Sequence, residues 1–199
     1  MLFPRRNNGG QTPTGGLTGT DAASGHVAAT TTVFDGKTDK TFKFEQHAEL
    51  TNYTIDLRLI SAEFPSVPST YTETTPSMPF RIGQNITCQT EPGGYALSLR
   101  EDGKEVLKPF IWATAGATRI TMVSDSVSFV VYGNGAEVAR LPKALRLGID
   151  ARLGAGFLKR FWAGEMEHFD VYSVVKLKSA FDASAGRLST TGRIASLST

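Results

Sequence analysis

The chain of 199 residues holds one cysteine, Cys88, and three histidines, His26, His47 and His168. A single thiol excludes an internal disulfide framework and any multi-cysteine metal site. So few imidazoles, with no HExxH sequence, leave little from which to build a zinc site. The net charge of +2 is too small for a general electrostatic grip on nucleic acid, so no nucleic-acid partner is expected. No run approaches ~18 consecutive apolar residues, so no membrane insertion is expected either. The opening MLFPRRNNGGQTPTGG has an apolar part of three residues, followed at once by Pro4 and two arginines. That is not the pattern of a signal peptide. Synthesis and folding in a cytoplasm are expected, in accord with the lone thiol.

What the chain does have is 40% hydrophobic residues, enough for one real core, and 20 glycines with 9 prolines. This balance favours turn-rich strand structure over helix. The apolar residues are unevenly spread. Residues 1–32 contain six Gly and seven Thr and too few large side chains to offset their own ordering entropy. They read as an arm. Residues 178–199, SAFDASAGRLSTTGRIASLST after Lys178, read as a second arm dotted with Phe181, Leu188, Ile194 and Leu197. Both arms are expected to lie along other chains, with Phe3, Arg5, Arg6 and Phe181 as assembly contacts.

Between the arms, residues 33–177 alternate. In 49–64, Tyr53, Ile55, Leu57 and Leu59 point one way and Thr54, Asp56 and Arg58 the other, the period of a half-buried strand. Tyr95, Leu97 and Leu99 repeat the pattern before a turn at Asp102-Gly103. Val127, Phe129 and Val131 repeat it again before Asn134-Gly135, a hairpin signal because both positions must tolerate positive φ. In FIWATAGA, alternation places Trp112 with Phe110, and the pair reads as core. The segment 65–79 interrupts the series with four prolines and reads as a long exposed loop. The pattern predicts an all-β, antiparallel β-sandwich with extended N- and C-terminal arms.

Four pieces then stand in a familiar order: Phe34-Asp35-Gly36, GGYALSLREDGK at 93–104, VSFVVYGNGAEVA at 127–139, and WAGEMEHFDVY at 162–172. Together they resemble a laminin G-like, or concanavalin A-like, lectin domain over residues 33–177. The resemblance implies a jelly-roll sandwich. It also implies a core position for Trp162, and inward Met166, Phe169, Val171 and Tyr172 if a bulge falls near Glu167-His168. Leu57, Leu97, Leu99, Phe129, Val131, Trp162, Phe169 and Val171 are the expected core markers. Gly164 is expected to let the last strand start against a neighbouring backbone.

A glycanase of this fold carries paired carboxylates on one strand face. Glu165, Glu167 and Asp170 are the only candidates, and their order is not the E-x-D-x-E of laminarinase-like relatives. The expectation is a non-enzymatic protein with no catalytic residue. Calcium is the one cofactor the resemblance admits, and Asp125, Asn134 and Asp150 are the loop residues that would have to converge on it. Otherwise no cofactor or metal is expected. For a glycan, the stiffened loop offers Tyr71 with Glu73 close by, an aromatic ring beside a hydrogen-bonding group.

A surface-type fold, no export pattern and two arms point together to a bacteriophage virion protein, of the tail, fibre, spike or capsid surface. It would be made in the host cytoplasm and partnered by copies of itself and other virion proteins, with a host surface glycan as a further ligand. The alternatives are a bacterial lectin-like carbohydrate-binding module and, third, a glycanase.

Overall fold

The alternating segments are strands. The computed structural model describes residues 32–44, 47, 50–60, 64–66, 77–157, 160–181 and 187–197. Among them fourteen strands build two antiparallel sheets. The first sheet runs β1 (Thr32–Asp35), β13 (Ala163–Tyr172), β3 (Tyr53–Ile60), β9 (Thr118–Ser124), β10 (Phe129–Gly133), β11 (Ala136–Leu141), with β14 (Arg193–Leu197) also on β13. The second runs β2 (Lys40–Lys43), β12 (Asp150–Leu153), β4 (Phe80–Ile82), β5 (Ile86–Glu91), β6 (Gly94–Glu101), β7 (Lys104–Leu107), with β8 (Phe110–Trp112) also on β6.

The inner faces make one core, as the period of two requires. All eight core markers named from the sequence are buried, none more than 1% exposed. Trp162 packs on Phe34 with ring centroids 5.7 Å apart. Gly164 gives that indole its room, since a Cβ there would lie 2.3 Å from the Trp162 ring. The close neighbour is thus the indole and not a strand backbone. The register of β13 against β3 shifts between Met166 and His168. This bulge lets Met166 and Phe169, three residues apart, both face inward. Both two-residue turns behave as expected: Asp102 and Asn134 have φ of 49° and 51°, each followed by a glycine at positive φ.

Three inward assignments are corrected. Tyr172, next to the inward Val171, is buried on the outer side of the first sheet with Tyr132 and Phe181. Val127 is 70% exposed, because Asp125 Oδ1 accepts from the amides of Val127 and Ser128 and curls the chain before β10 begins. Trp112 is 71% exposed. Alternation does put it with Phe110, but Ile111 takes the core side instead, opposite Tyr95.

Cys88 is fully buried on β5, and burial pushes its thiol pKa up. A thiol-reactive dye is therefore expected to leave the native protein almost unlabelled and to modify Cys88 only on unfolding. Rapid labelling of the native state would show that β5 opens.

Candidate functional site

A sandwich has two outer faces, and here they differ. On the first sheet the middle of the outer face, over β13, β3, β9 and β10, is covered by the protein itself. The chain leaves β13 and is tied to β3, where Thr54 Oγ1 donates to the Val174 carbonyl and accepts from the Lys176 amide, both at 2.9 Å. It reaches β10, where Phe181 lies 5.1 Å from the Tyr132 ring. Further along, Arg187 and Leu188 return over β13, and β14 pairs with it. Val123, Val130, Tyr132, Tyr172, Phe181 and Leu188 form a second apolar cluster under this strap.

For the described residues of the C-terminal segment, 178–181 and 187–197, this corrects the reading of residues 178–199 as an arm. Phe181 is 1% exposed, buried in its own domain and not an assembly contact. A strand held by backbone hydrogen bonds needs few large side chains, so counting apolar residues missed it.

Beneath that face lies an ionic network. Asp56 accepts from Arg119 Nε at 2.8 Å and Nη2 at 2.9 Å, from Thr121 Oγ1 at 2.8 Å, and pairs with His168 Nε2 at 2.9 Å. Asp170 stands directly opposite Asp56 in register. Two buried carboxylates side by side need cations. Asp170 takes Arg187 of the strap, at 2.5 and 2.7 Å, with Arg193 at 3.6 Å. Burial alone would push the Asp56 carboxyl up, but the hydrogen bonds and charges of His168 and Arg119 outweigh it and hold it at about 2.

The carboxylates weighed for glycan hydrolysis sit in or beside this network. Glu167 is at the bulge and pairs with Arg58 at 3.1 Å. Asp170 is neutralised as described, and Glu165 stands opposite Val33 and Ile60. None of this resembles an acid and a nucleophile facing one open cleft.

The calcium candidates do not converge. Asp125 and Asn134 flank opposite ends of β10. Asp125 caps its own turn, and Asn134 Oδ1 accepts from the Arg119 amide. Asp150 lies in the other sheet, paired with Arg81 at 3.0 Å. The three do not fit a single ion. No group of three or more His, Cys, Asp or Glu side chains among the described residues is placed to hold a metal.

The outer face of the second sheet is built differently. Phe110 and Trp112 share it at the sheet edge, their rings 4.8 Å apart and edge to face at 77°. The Trp112 ring leans over the turn joining β5 to β6. A Cβ on Gly93 would lie 3.0 Å from it, and one on Gly94 would lie 2.2 Å from the Ile111 carbonyl oxygen and 2.9 Å from the Phe110 ring. Only glycines allow the two rings to lie this close to β6. Across that turn Glu91 is in register with Gly94, and Gln89 with Ala96. Gln89 Nε2 donates to Glu91 Oε1 at 2.5 Å. Farther along the same face run Thr87 and Ser98, then the pairs Arg81–Asp150 and Arg152–Asp39. The Arg152 hydrogen bond holds the Asp39 carboxyl below its usual range. Phe157, 40% exposed, lies 5.3 Å from the Arg81 guanidinium.

The architecture can now be set beside known structures. It is a lectin-like β-sandwich. A putative carbohydrate-binding protein from Bacteroides ovatus superposes with a TM-score of 0.53 at 11% identity, over 75% of this chain and 45% of that one. The CBM40 of the Ruminococcus gnavus IT-sialidase, solved bound to α2,3 sialyllactose, gives 0.50 at 16% identity, over 75% and 98%. The binding domain of botulinum neurotoxin DC, solved in complex with SialylT, gives 0.54 at 8%, over 71% and 37%. The chain thus spans less than half of the first and third and nearly all of the second. No family model and no curated protein sequence matches it. At these identities the likeness is one of fold.

Of the residues singled out for ligand or assembly, Tyr71, Glu73, Phe3, Arg5 and Arg6 lie outside the described residues, as does the N-terminal arm up to residue 31. Sequence reasoning missed the Trp112 platform. Its signal was present in the Gly93-Gly94 pair, which leaves room for rings on the neighbouring strand.

Proposed function

We propose that this chain is a non-catalytic glycan-binding module and that it binds through the outer face of the second sheet. The observation that carries the reading is Trp112, 71% exposed and braced on Phe110 over a glycine turn. An exposed indole held at fixed orientation offers a flat π-face to the C–H side of a sugar ring, and the half-buried Gln89 side-chain amide beside it is the hydrogen-bonding group offered to hydroxyls. The carbohydrate-binding descriptions of the structural neighbours support the same reading.

The test is binding of the full chain to a glycan array, followed by titration of the best ligand. Trp112→Ala is expected to weaken binding roughly tenfold or more, with the thermal midpoint nearly unchanged because the ring is solvent-exposed. Equal binding by the variant would remove this face as the site. No cofactor is invoked, so binding is expected to survive EDTA. Loss on chelation would bring calcium back.

The proposed setting is a bacteriophage virion, with copies of the chain and other virion proteins as partners and a host surface glycan as the ligand. Its support is the low-complexity composition of residues 1–32. Deleting residues 1–25 is expected to leave a folded domain that no longer assembles. Unchanged assembly, followed by light scattering, would return the reading to a free-standing bacterial module.

A further inference from the structure

We infer that the ligand of the Trp112 face is an acidic glycan whose carboxylate or sulfate is met by Lys108 and Arg100; this rests on the glycan-binding reading above. The edge of the second sheet keeps one register from β7 into β8. Leu107 is opposite Leu99 and Phe110 is opposite Ala96, and between them the Leu97 amide donates to the Pro109 carbonyl at 2.9 Å. Lys108 therefore stands opposite Ser98. Leu107, Pro109 and Ile111 turn toward the core, and Lys108, Phe110 and Trp112 turn outward in one file. Lys108 is two residues from Phe110 and four from Trp112, roughly 7 and 13 Å along the strand.

Two cations at this edge are uncommitted. Lys108 is exposed and forms no ion pair among the described residues. Arg100, half-buried, donates from Nε to the Ser98 hydroxyl at 3.3 Å and likewise pairs with no carboxylate among them. Farther across the face, Arg81 and Arg152 already hold Asp150 and Asp39. The carboxylates near the file do not cancel both charges. Glu91 is 7% exposed, with Gln89 on its Oε1. Glu105 is exposed and accepts from Ser98 Oγ at 2.6 Å; it offsets one of the two cations. A sugar stacked on the rings with an acid group at its Lys108 end gains a charge-assisted hydrogen bond there. An ammonium is a point charge on a flexible stem, so it takes a carboxylate or a sulfate alike.

The experiment uses the full chain on an array that carries acidic glycans beside neutral counterparts: 3′-sialyllactose with lactose, sulfated N-acetyllactosamine with its unsulfated form, trigalacturonate with its methyl ester. The best acidic member is expected to bind about fivefold tighter than its counterpart, the scale of two exposed ion pairs. Raised salt should erase that difference. The pair that shows it tells carboxylate from sulfate. Neutral members that bind as well or better, or a preference untouched by salt, would overturn the inference while leaving the glycan reading standing. Silence across the whole array, neutral and acidic alike, would take down both. Lys108→Glu, at an exposed position, is expected to keep the fold and to reverse the preference with the neutral ligand bound as before, whereas Trp112→Ala should weaken both members of a pair alike. A folded Lys108→Glu protein that still favours the acidic member counts against charge at this edge as the determinant.

Discussion

Asp56→Ala is expected to destabilise the domain by about 3–5 kcal/mol, the cost of stranding a buried arginine. Arg119 is 1% exposed, and its Nε and Nη2 donate to Asp56. Removing the carboxylate also takes a partner from Thr121 and His168. Chemical denaturation should show the midpoint falling sharply with little change in slope. A loss below ~1 kcal/mol, the size typical of exposed pairs, would mean that water reaches Arg119. The same residue sets an acid limit. Its folded-state pKa, held at about 2, lies below the ordinary range of an aspartate. Its contribution is therefore present in full above about pH 4 and is lost as the pH falls through about 2. Asp56→Asn should flatten the stability curve in that window.

The second large effect concerns the strap. Deleting residues 182–199 removes β14, Leu188 and Arg187 together. It bares the cluster around Tyr132 and Tyr172 and leaves Asp170, 0% exposed in the intact fold, without Arg187 or Arg193. Exposed apolar surface and a buried carboxylate without cations both act against folding. The truncated chain is expected to be insoluble or to melt at least ~10 °C lower, on the scale of several kcal/mol for a domain this size. Arg187→Ala alone should reproduce about 3 kcal/mol of the loss. A truncated chain as stable as the whole would restore the C-terminal residues to the status of a detachable arm.

The sequence was most readable on the strand faces that meet the core, where apolar side chains recur at every second position. Ile55, Leu57, Leu97, Leu99, Phe129 and Val131 follow that rule, and the Asn134-Gly135 turn fixed the β10–β11 hairpin. It was least readable where both faces are covered or the strand is very short. Thr54 and Asp56 alternate as solvent-facing residues should, yet both are 0% exposed, because polarity on the second face served an ionic network and not water. Trp112 sits on a three-residue edge strand with apolar side chains at every position, so periodicity could not choose its side. Phe181 and Leu188 are single anchors 7 positions apart, too sparse to register as a period. The candidate site was hidden for the same reason, and the loop favoured in its place holds Tyr71 and Glu73 outside the described residues.

The edge of β13 has a last consequence. β14 ends with Leu197 opposite Phe169, and β1 begins with Thr32 opposite Met166, both antiparallel to β13. They run head to tail along one edge, like a single strand with a nick in it. The nick spans three positions of β13, roughly 10 Å. A short peptide from Leu197 to Thr32, replacing residues 1–31 and 198–199, would seal it and allow new termini at an exposed turn such as Asp102-Gly103. The same proximity makes this sandwich easy to insert into a loop of another protein, since both ends would enter and leave its host at one place.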